Sequence, residues 1–270
     1  SYYLISEEKR REMVKRSVAA ITDIYQNSIL KDSSRNSFMI KRMEDLADRT
    51  VWAMGEQLKC GDFVPFVFEH KFNMEVGDGD RKQLMSGTID RVDICENGTD
   101  VYVRIIDYKT GKKDFNIVKT YYGIDIQLMV YMEAAMKLVA KMRPGKNVIP
   151  AGVFYYNISD PIVSATTESA DEIEDKIKGE LRLKGMVNSD KDIAEKMDNT
   201  EGTSLNIPVS RKADGGFDSR RSKVMNTEQF NMLGRFVDVR AVDTADRIAG
   251  GDIRSCLLYT SPSPRDRSLS

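Results

Sequence analysis

The spacing of apolar residues changes character several times along the chain. Met13, Val14, Val18, Ile21 and Tyr25 recur at helical spacing behind Ser6, a capping residue followed at once by acids. This predicts a helix from Ser6 to about Leu30. Asp32-Ser33-Ser34 breaks it. Ile40, Met43, Leu46, Ala47, Val51, Met54 and Leu58 then mark one face of a second helix, from about Ser37 to Lys59, with Gly61 as its stop. Beyond that point the residues become aromatic and β-branched. Phe63 to Phe72, Leu84 to Ile94 and Val101 to Tyr108 read as three strands. Gly77-Asp78-Gly79-Asp80 and Asn97-Gly98 are the turns between them, so the three form an antiparallel meander.

The helical period returns from Ile124 to Met142 and ends at Pro144-Gly145. Ala151 to Ile158 is a fourth strand, apolar enough to be central. Helices are expected near Asp171–Lys184, Asp190–Met197 and Thr227–Ala249. The stretch Asn199–Arg221 is polar and Gly-rich, a loop with a short strand at Leu205–Val209. This order of elements predicts an α/β fold, a mixed central β-sheet flanked by helices, with additional helices towards the C-terminus. The last residues, a Ser/Pro/Arg run after Ile253, lack periodicity and read as a non-native tail. The expected division is therefore a helical part at 1–62, a core with its C-terminal helices at 63–253, and the tail at 254–270.

The 270 residues are enough for one large domain or two small ones. The 41 basic and 42 acidic residues give a formal net charge of −1, which argues against a dedicated high-affinity nucleic-acid module but leaves room for an enzyme with a locally basic groove. Cys60, Cys95 and Cys256 have no metal-ligand spacing, and an odd, sparse set suits a reducing compartment. No apolar run is long enough for a bilayer span and no signal pattern opens the chain, so a cytoplasmic location and no membrane partner are expected. A start without Met points to a piece of something longer.

Candidate chemistry concentrates between Gly87 and Tyr131. Residues two apart in a strand face one way, so Asp107 and Lys109 project to one side and Tyr108 to the other. Asp90, on the preceding strand, can reach the side of Asp107. Two carboxylates close together repel unless a cation sits between them. Oxygen ligands at this density suit Mg²⁺ or Mn²⁺, which can polarise a phosphate and lower the pKa of a bound water. Gln127 and Tyr131 share a helix face and can contact a substrate backbone or steady the lysine. The competing reading is an exposed hairpin in which Lys109 merely pairs with Asp107 or Asp90, worth about 0–1 kcal/mol. Against it stand the apolar run before Asp107, the Gly-x-x-Asp setting of Asp90 and the Gln/Tyr pair. Glu69 is a possible further acid. His70, the only histidine, neighbours it on a strand and so points elsewhere, to a surface role. There is no P-loop, no zinc-hydrolase pattern and no Gly-x-Ser-x-Gly elbow.

Gly87-x-x-Asp90, Asp107-Tyr108-Lys109 and Gln127-x-x-x-Tyr131 resemble the RecB-like branch of the PD-(D/E)xK nucleases. Flanking segments, among them Glu69-His70-Lys71-Phe72 and Val153-Phe154-Tyr155-Tyr156, extend the likeness to the C-terminal nuclease domains of the AddB-type component of ATP-dependent helicase–nucleases. The resemblance implies a restriction-endonuclease-like fold and Mg²⁺-dependent (or Mn²⁺-dependent) cleavage of single-stranded DNA. It further implies a helicase-carrying A subunit as partner, cutting of the 5′-terminated strand and a role in recombinational repair of double-strand breaks. Asp90, Asp107 and the carbonyl of Tyr108 are then metal ligands, Lys109 is catalytic, and Gln127 and Tyr131 are accessory site residues. Two features depart from the family. No histidine precedes His70, where the family places a metal-binding one, so the fragment is expected to start after it. Cys256 has no cysteine neighbours, so the family's iron–sulfur (4Fe-4S) cluster is expected to be absent. These departures keep a second function open, a non-catalytic module that guides DNA or docks on a helicase subunit.

Overall fold

A computed structural model describes residues 5–24, 34–77, 82–161 and 169–252. Two helices come first, α1 (Glu7–Ile24) and α2 (Ser34–Lys59). Ser6 caps α1 as expected, its Oγ accepting from the Lys9 amide at 3.3 Å. The buried stripe of α1 is narrower than its apolar pattern. Val14, Val18 and Thr22 are covered, while Met13 and Ile21 stay about half-exposed. The reason is that α1 packs on α2 and not on the sheet; a fork from Arg10 to Asp48, at 2.8 and 3.0 Å, ties the pair. Gly61 follows α2, and its role is close approach. A Cβ there would lie 2.4 Å from the Lys196 carbonyl oxygen, where the Asp62 amide bonds at 2.7 Å.

The three expected strands are β1 (Val64–Val76), β2 (Gln83–Asn97) and β3 (Asp100–Lys109), paired antiparallel in sequence order. Gly98 takes φ +60° in the β2–β3 turn, a left-handed position that favours glycine. After β3 come α3 (Ile117–Tyr121) and α4 (Gln127–Met142), then β4 (Asn147–Asn157) parallel to β3. Two parallel neighbours need a crossover, and α4 supplies it. Next are α5 (Ala170–Glu180), β5 (Lys184–Asn188), α6 (Lys191–Met197), β6 (Val224–Met225) and α7 (Thr227–Ala249). All six strands form one mixed sheet in the order β1-β2-β3-β4-β5-β6, and helices cover both faces, as in a restriction-endonuclease-like α/β fold.

Alternation along β3 serves two cores. Val101, Val103 and Ile105 pack with Leu128 and Val139 of α4 and Phe230 and Val237 of α7. Tyr102 and Ile106 face the opposite way, towards Ala53 of α2 and Ile193 and Met197 of α6. Burial on both faces explains why Val101 to Asp107 is buried without a break, and β4 shares that central place.

Some expectations fail for identifiable reasons. Leu205–Val209 forms no strand. Ser204 Oγ accepts from the amides of Asn206 and Ile207 at 2.9 and 3.0 Å, and Asp198 holds Ser204 and Asn206, so side chains take donors that a ladder would need. The helix expected to reach Lys184 stops at Glu180, and β5 follows. Gly185 lets β5 pair with β4, because a Cβ there would fall 1.9 Å from the Val153 oxygen. The short elements α3 and β6 lack enough residues to show a period. Residues 25–33, with Tyr25, Leu30 and the 32–33 part of the break, lie outside the described residues, as does the 254–270 tail.

Candidate active site

The ladder between β2 and β3 ends at the pair Arg91–Ile106. One step further, Asp90 stands opposite Asp107, and a side chain replaces the ladder: Asp90 Oδ2 accepts from the Tyr108 amide at 2.7 Å. Within a strand, the amide and carbonyl of one residue point to the same edge. The Tyr108 carbonyl therefore shares the edge that faces Asp90. Its phenol lies on the other face, 3.4 Å from an Arg91 nitrogen and 3.3 Å from Met54 Sδ.

Asp107 and Lys109 project to one side, as their spacing predicts, and form an ion pair. Asp107 is buried, while Lys109 keeps part of its side chain in solvent. Burial raises the Asp107 carboxyl above the ordinary carboxylate range. Lys109 pulls it back and Asp90 pushes it further up. The second oxygen, Asp107 Oδ1, accepts from Gln127 Nε2 at 3.1 Å, and the same nitrogen donates to the Tyr131 hydroxyl oxygen at 2.9 Å. The two α4 residues thus act through one hydrogen-bonded chain ending on Asp107.

Gly87 has a steric reason. It pairs with Phe72, and Phe72 meets Tyr131 edge to face at 5.8 Å. A Cβ on Gly87 would stand 3.0 Å from Phe72 and 3.3 Å from Tyr131. The glycine lets both rings lie against the strand and sets the height of Tyr131. Glu69 falls opposite Asp90, between the pairs Phe68–Arg91 and His70–Ile89, and has φ +49°. Strict alternation breaks at this level, since Ile89 and Val92 enter the same core. Glu69 is exposed and His70 half-buried.

Three residues join the site that the spacing of motifs did not single out. Tyr155 sits opposite Asp107 on β4, with the Lys109 and Lys113 ammonium groups 5.7 and 5.4 Å from its ring centre. Its hydroxyl donates to buried Asp125 at 2.7 Å, and Lys113 pairs with the other Asp125 oxygen at 3.2 Å. Burial first, and then this bond to Asp125, push the Tyr155 phenol up. The available signals were local: Lys113 follows Lys109 in a lysine-rich turn, and Asp125 precedes Gln127 by two. A cleft of about 310 Å³ opens here, lined in part by Phe72, Lys113, Asp125, Gln127 and Tyr131. The larger cavity, about 920 Å³ between α1, α2 and α5, contains none of these residues.

Among the described residues no group of three or more His, Cys, Asp or Glu side chains could hold a metal. The oxygen donors here are two carboxylates and the Tyr108 carbonyl. That set fits a small hard cation such as Mg²⁺ or Mn²⁺, which binds through one or two carboxylates and keeps several waters. Buried Asp107 Oδ2 is in keeping with it: apart from Lys109 it has no partner among the described residues. Of the cysteines, Cys60 and Cys95 are free thiols, and Cys256 lies outside the described residues. No helix among the described residues is long and apolar enough to cross a membrane.

Comparison with known families bears directly on this geometry. The model of the PD-(D/E)XK nuclease superfamily matches residues 3–251. The chain belongs to this superfamily. Members similar to it include proteins named as the B component of an ATP-dependent helicase/deoxyribonuclease. That of Clostridium botulinum is 34% identical over 83% of this chain and 20% of its own length. That of Lachnoclostridium phytofermentans is 33% identical over 94% and 22%, and that of Caldanaerobacter subterraneus 36% over 90% and 21%. The chain thus spans about a fifth of the length of these superfamily members.

Proposed function

We propose that this chain is a metal-dependent deoxyribonuclease domain that cleaves single-stranded DNA. The observation that carries the reading is the placement of Asp107. A buried carboxylate, raised in pKa, lies opposite Asp90 and beside Lys109, and its remaining oxygen is fixed by Gln127. Asp90, Asp107 and the Tyr108 carbonyl hold Mg²⁺ or Mn²⁺. When bound, that ion supplies Lewis-acid polarisation of a phosphate oxygen and acidifies a water. Lys109 offers its ammonium to the charge that develops on the phosphate. Gln127, steadied by Tyr131, keeps the Asp107 carboxylate in one rotamer so that its free oxygen faces the cleft. The names of the relatives support a place in a helicase–nuclease complex with a second subunit. In this reading the domain acts on the 5′-terminated strand at double-strand breaks, in the cytoplasm, during recombinational repair.

The test is degradation of single-stranded DNA with Mg²⁺ and with EDTA, by the wild type and by Asp107→Ala. Activity is expected to need the metal and to fall by about 100-fold or more in the variant. Cleavage indifferent to both chelation and mutation would sink the proposal. A second reading, a non-catalytic DNA-guiding or subunit-docking module, draws on the two-carboxylate donor set. It predicts binding unchanged by Asp90→Ala and no metal-dependent turnover. An upstream extension of the chain, tested in the same assay, separates a missing ligand from a missing activity.

A further inference from the structure

Beside the cleft, α3 and the loop after it present an aromatic surface that the chemistry above does not use. Tyr121 is 60% exposed and Tyr122 51% exposed. The two rings meet edge to face at 5.3 Å. Tyr121 also stacks on Phe236 of α7, with centroids 5.3 Å apart and planes 4° from parallel. Leaving two tyrosines in water forgoes burial that such large rings ordinarily gain.

The surface is held rigidly. Asn116 caps α3 through the amides of Val118 and Lys119. Buried Thr120 donates its hydroxyl to the carbonyls of Asn116 and Asp125, at 3.2 and 2.9 Å. Gly123 takes φ +76° and its amide closes on the Thr120 oxygen. Both tyrosines are therefore presented from a fixed turn rather than a loose loop.

Three things point to a ligand and to its kind. The surface is continuous with the catalytic cleft: exposed Ile124 lines that cleft, and Asp125 is anchored inside it by Tyr155 and Lys113. Three residues separate Tyr122 from Asp125, which limits their distance to about 10 Å. The charge around it is positive. Lys112 and Lys119 are exposed and make no ion pair among the described residues, and the half-buried Arg240 places a guanidinium nitrogen near Gly123. The nearby acids Asp114 and Asp125 are each paired with a lysine, Lys223 and Lys113. Aromatic rings interleaved with basic side chains suit a strand with unpaired bases, whose rings stack while its phosphates meet the cations. A protein segment would use the rings but has no need of the lysines.

We propose that Tyr121 and Tyr122 form a base-stacking platform for single-stranded nucleic acid leading into the Asp107 cleft, with Lys112, Lys119 and Arg240 along the phosphates. This rests on the nuclease reading for its direction, but its test does not depend on turnover. The measurement is fluorescence anisotropy of a labelled oligothymidylate in EDTA, beside an oligomer of the same length made wholly of abasic residues. Wild type should prefer the base-bearing strand. The double variant Tyr121→Ala/Tyr122→Ala should bind it roughly 5- to 100-fold more weakly and lose the preference. Tyr122→Phe should keep both, which separates stacking from loss of fold. In turnover, the double variant should raise KM while leaving kcat close to wild type. Unchanged binding in the double variant overturns the platform and leaves the patch as a seat for protein. An equal loss on both strands overturns it too, since the contact is then with phosphate alone. Asp107→Ala should bind like wild type in EDTA and fail to cleave. If it cleaves normally, the nuclease reading falls while the stacking result stands on its own.

Discussion

The β2–β3 hairpin carries charge on both faces, and the two faces treat it in opposite ways. On one, Asp93 is buried and accepts from Arg91 at 2.6 and 2.7 Å and from Arg104 at 2.9 Å. Burial alone would raise its carboxyl, but two guanidinium groups outweigh that and hold it below the ordinary range. Arg104 also lies over the Phe63 ring at 5.0 Å, and Arg91 reaches the Tyr108 hydroxyl. On the other face Asp107 is as well buried, but its cation is a single part-exposed lysine and another acid stands opposite. Its carboxyl moves up instead of down. The same side chain, a few residues apart in one sheet, is closed into structure in the first case and left short of positive charge in the second. A site for a cation is such a shortage, maintained by the packing around it.

The sharpest way to break the comparison is to remove one acid from each face. Asp93→Ala leaves two buried guanidinium groups without a carboxylate and is expected to cost about 3–5 kcal/mol in a urea titration. Asp107→Asn should show the reverse, with nuclease activity lost and the unfolding midpoint unchanged or raised, because it removes a carboxylate whose ionised form burial disfavours. If Asp107→Asn destabilised the fold as much as Asp93→Ala, the contrast between the faces would be wrong.

A smaller effect is expected at Gly87. Alanine there crowds Phe72 and Tyr131, so about 1–3 kcal/mol of stability should go. Activity should fall further than folding explains, because Tyr131 steadies Gln127. Tyr131→Phe, which frees the Gln127 nitrogen without crowding, is the control.

The smallest effect tests whether a raised carboxyl always marks a site. Glu133, on α4, is raised by burial first and then by Asp238 of α7, and it touches no site residue described above. Its folded pKa exceeds the unfolded one, so the folded state holds more protons in between and stability falls as pH rises through that window. Glu133→Gln should therefore raise the melting temperature at neutral pH. The gain should shrink as pH drops towards the ordinary carboxylate range, with activity unchanged.

Much of this was legible from residue spacing. Turn residues at Asn97-Gly98 and β-branched runs marked the meander, and α7 runs from Thr227 to Ala249 as its period predicts. Asp107 and Lys109 had to share a face, since alternation in a strand depends on local backbone geometry alone. Gln127 and Tyr131 had to share a helix face for the same kind of reason. Local rules failed where a contact from elsewhere in the chain decided the outcome. Nothing near Leu205 announces that Asp198 and Ser204 will take its backbone donors. Strict alternation, used to separate Glu69 from His70, has a break at Glu69 itself.

The sequence by itself determined the elements and the chemical identity of the site, because periodicity and side-chain type are properties of short stretches. Only the tertiary structure decided which charges would be satisfied. It brought α4 across the sheet so that Gln127 meets Asp107. It placed Tyr155 beneath two lysines, and it set Arg91 and Arg104 around Asp93 rather than beside the open carboxylates. Those outcomes depend on distances between residues far apart in the chain, and so on packing that no local pattern records.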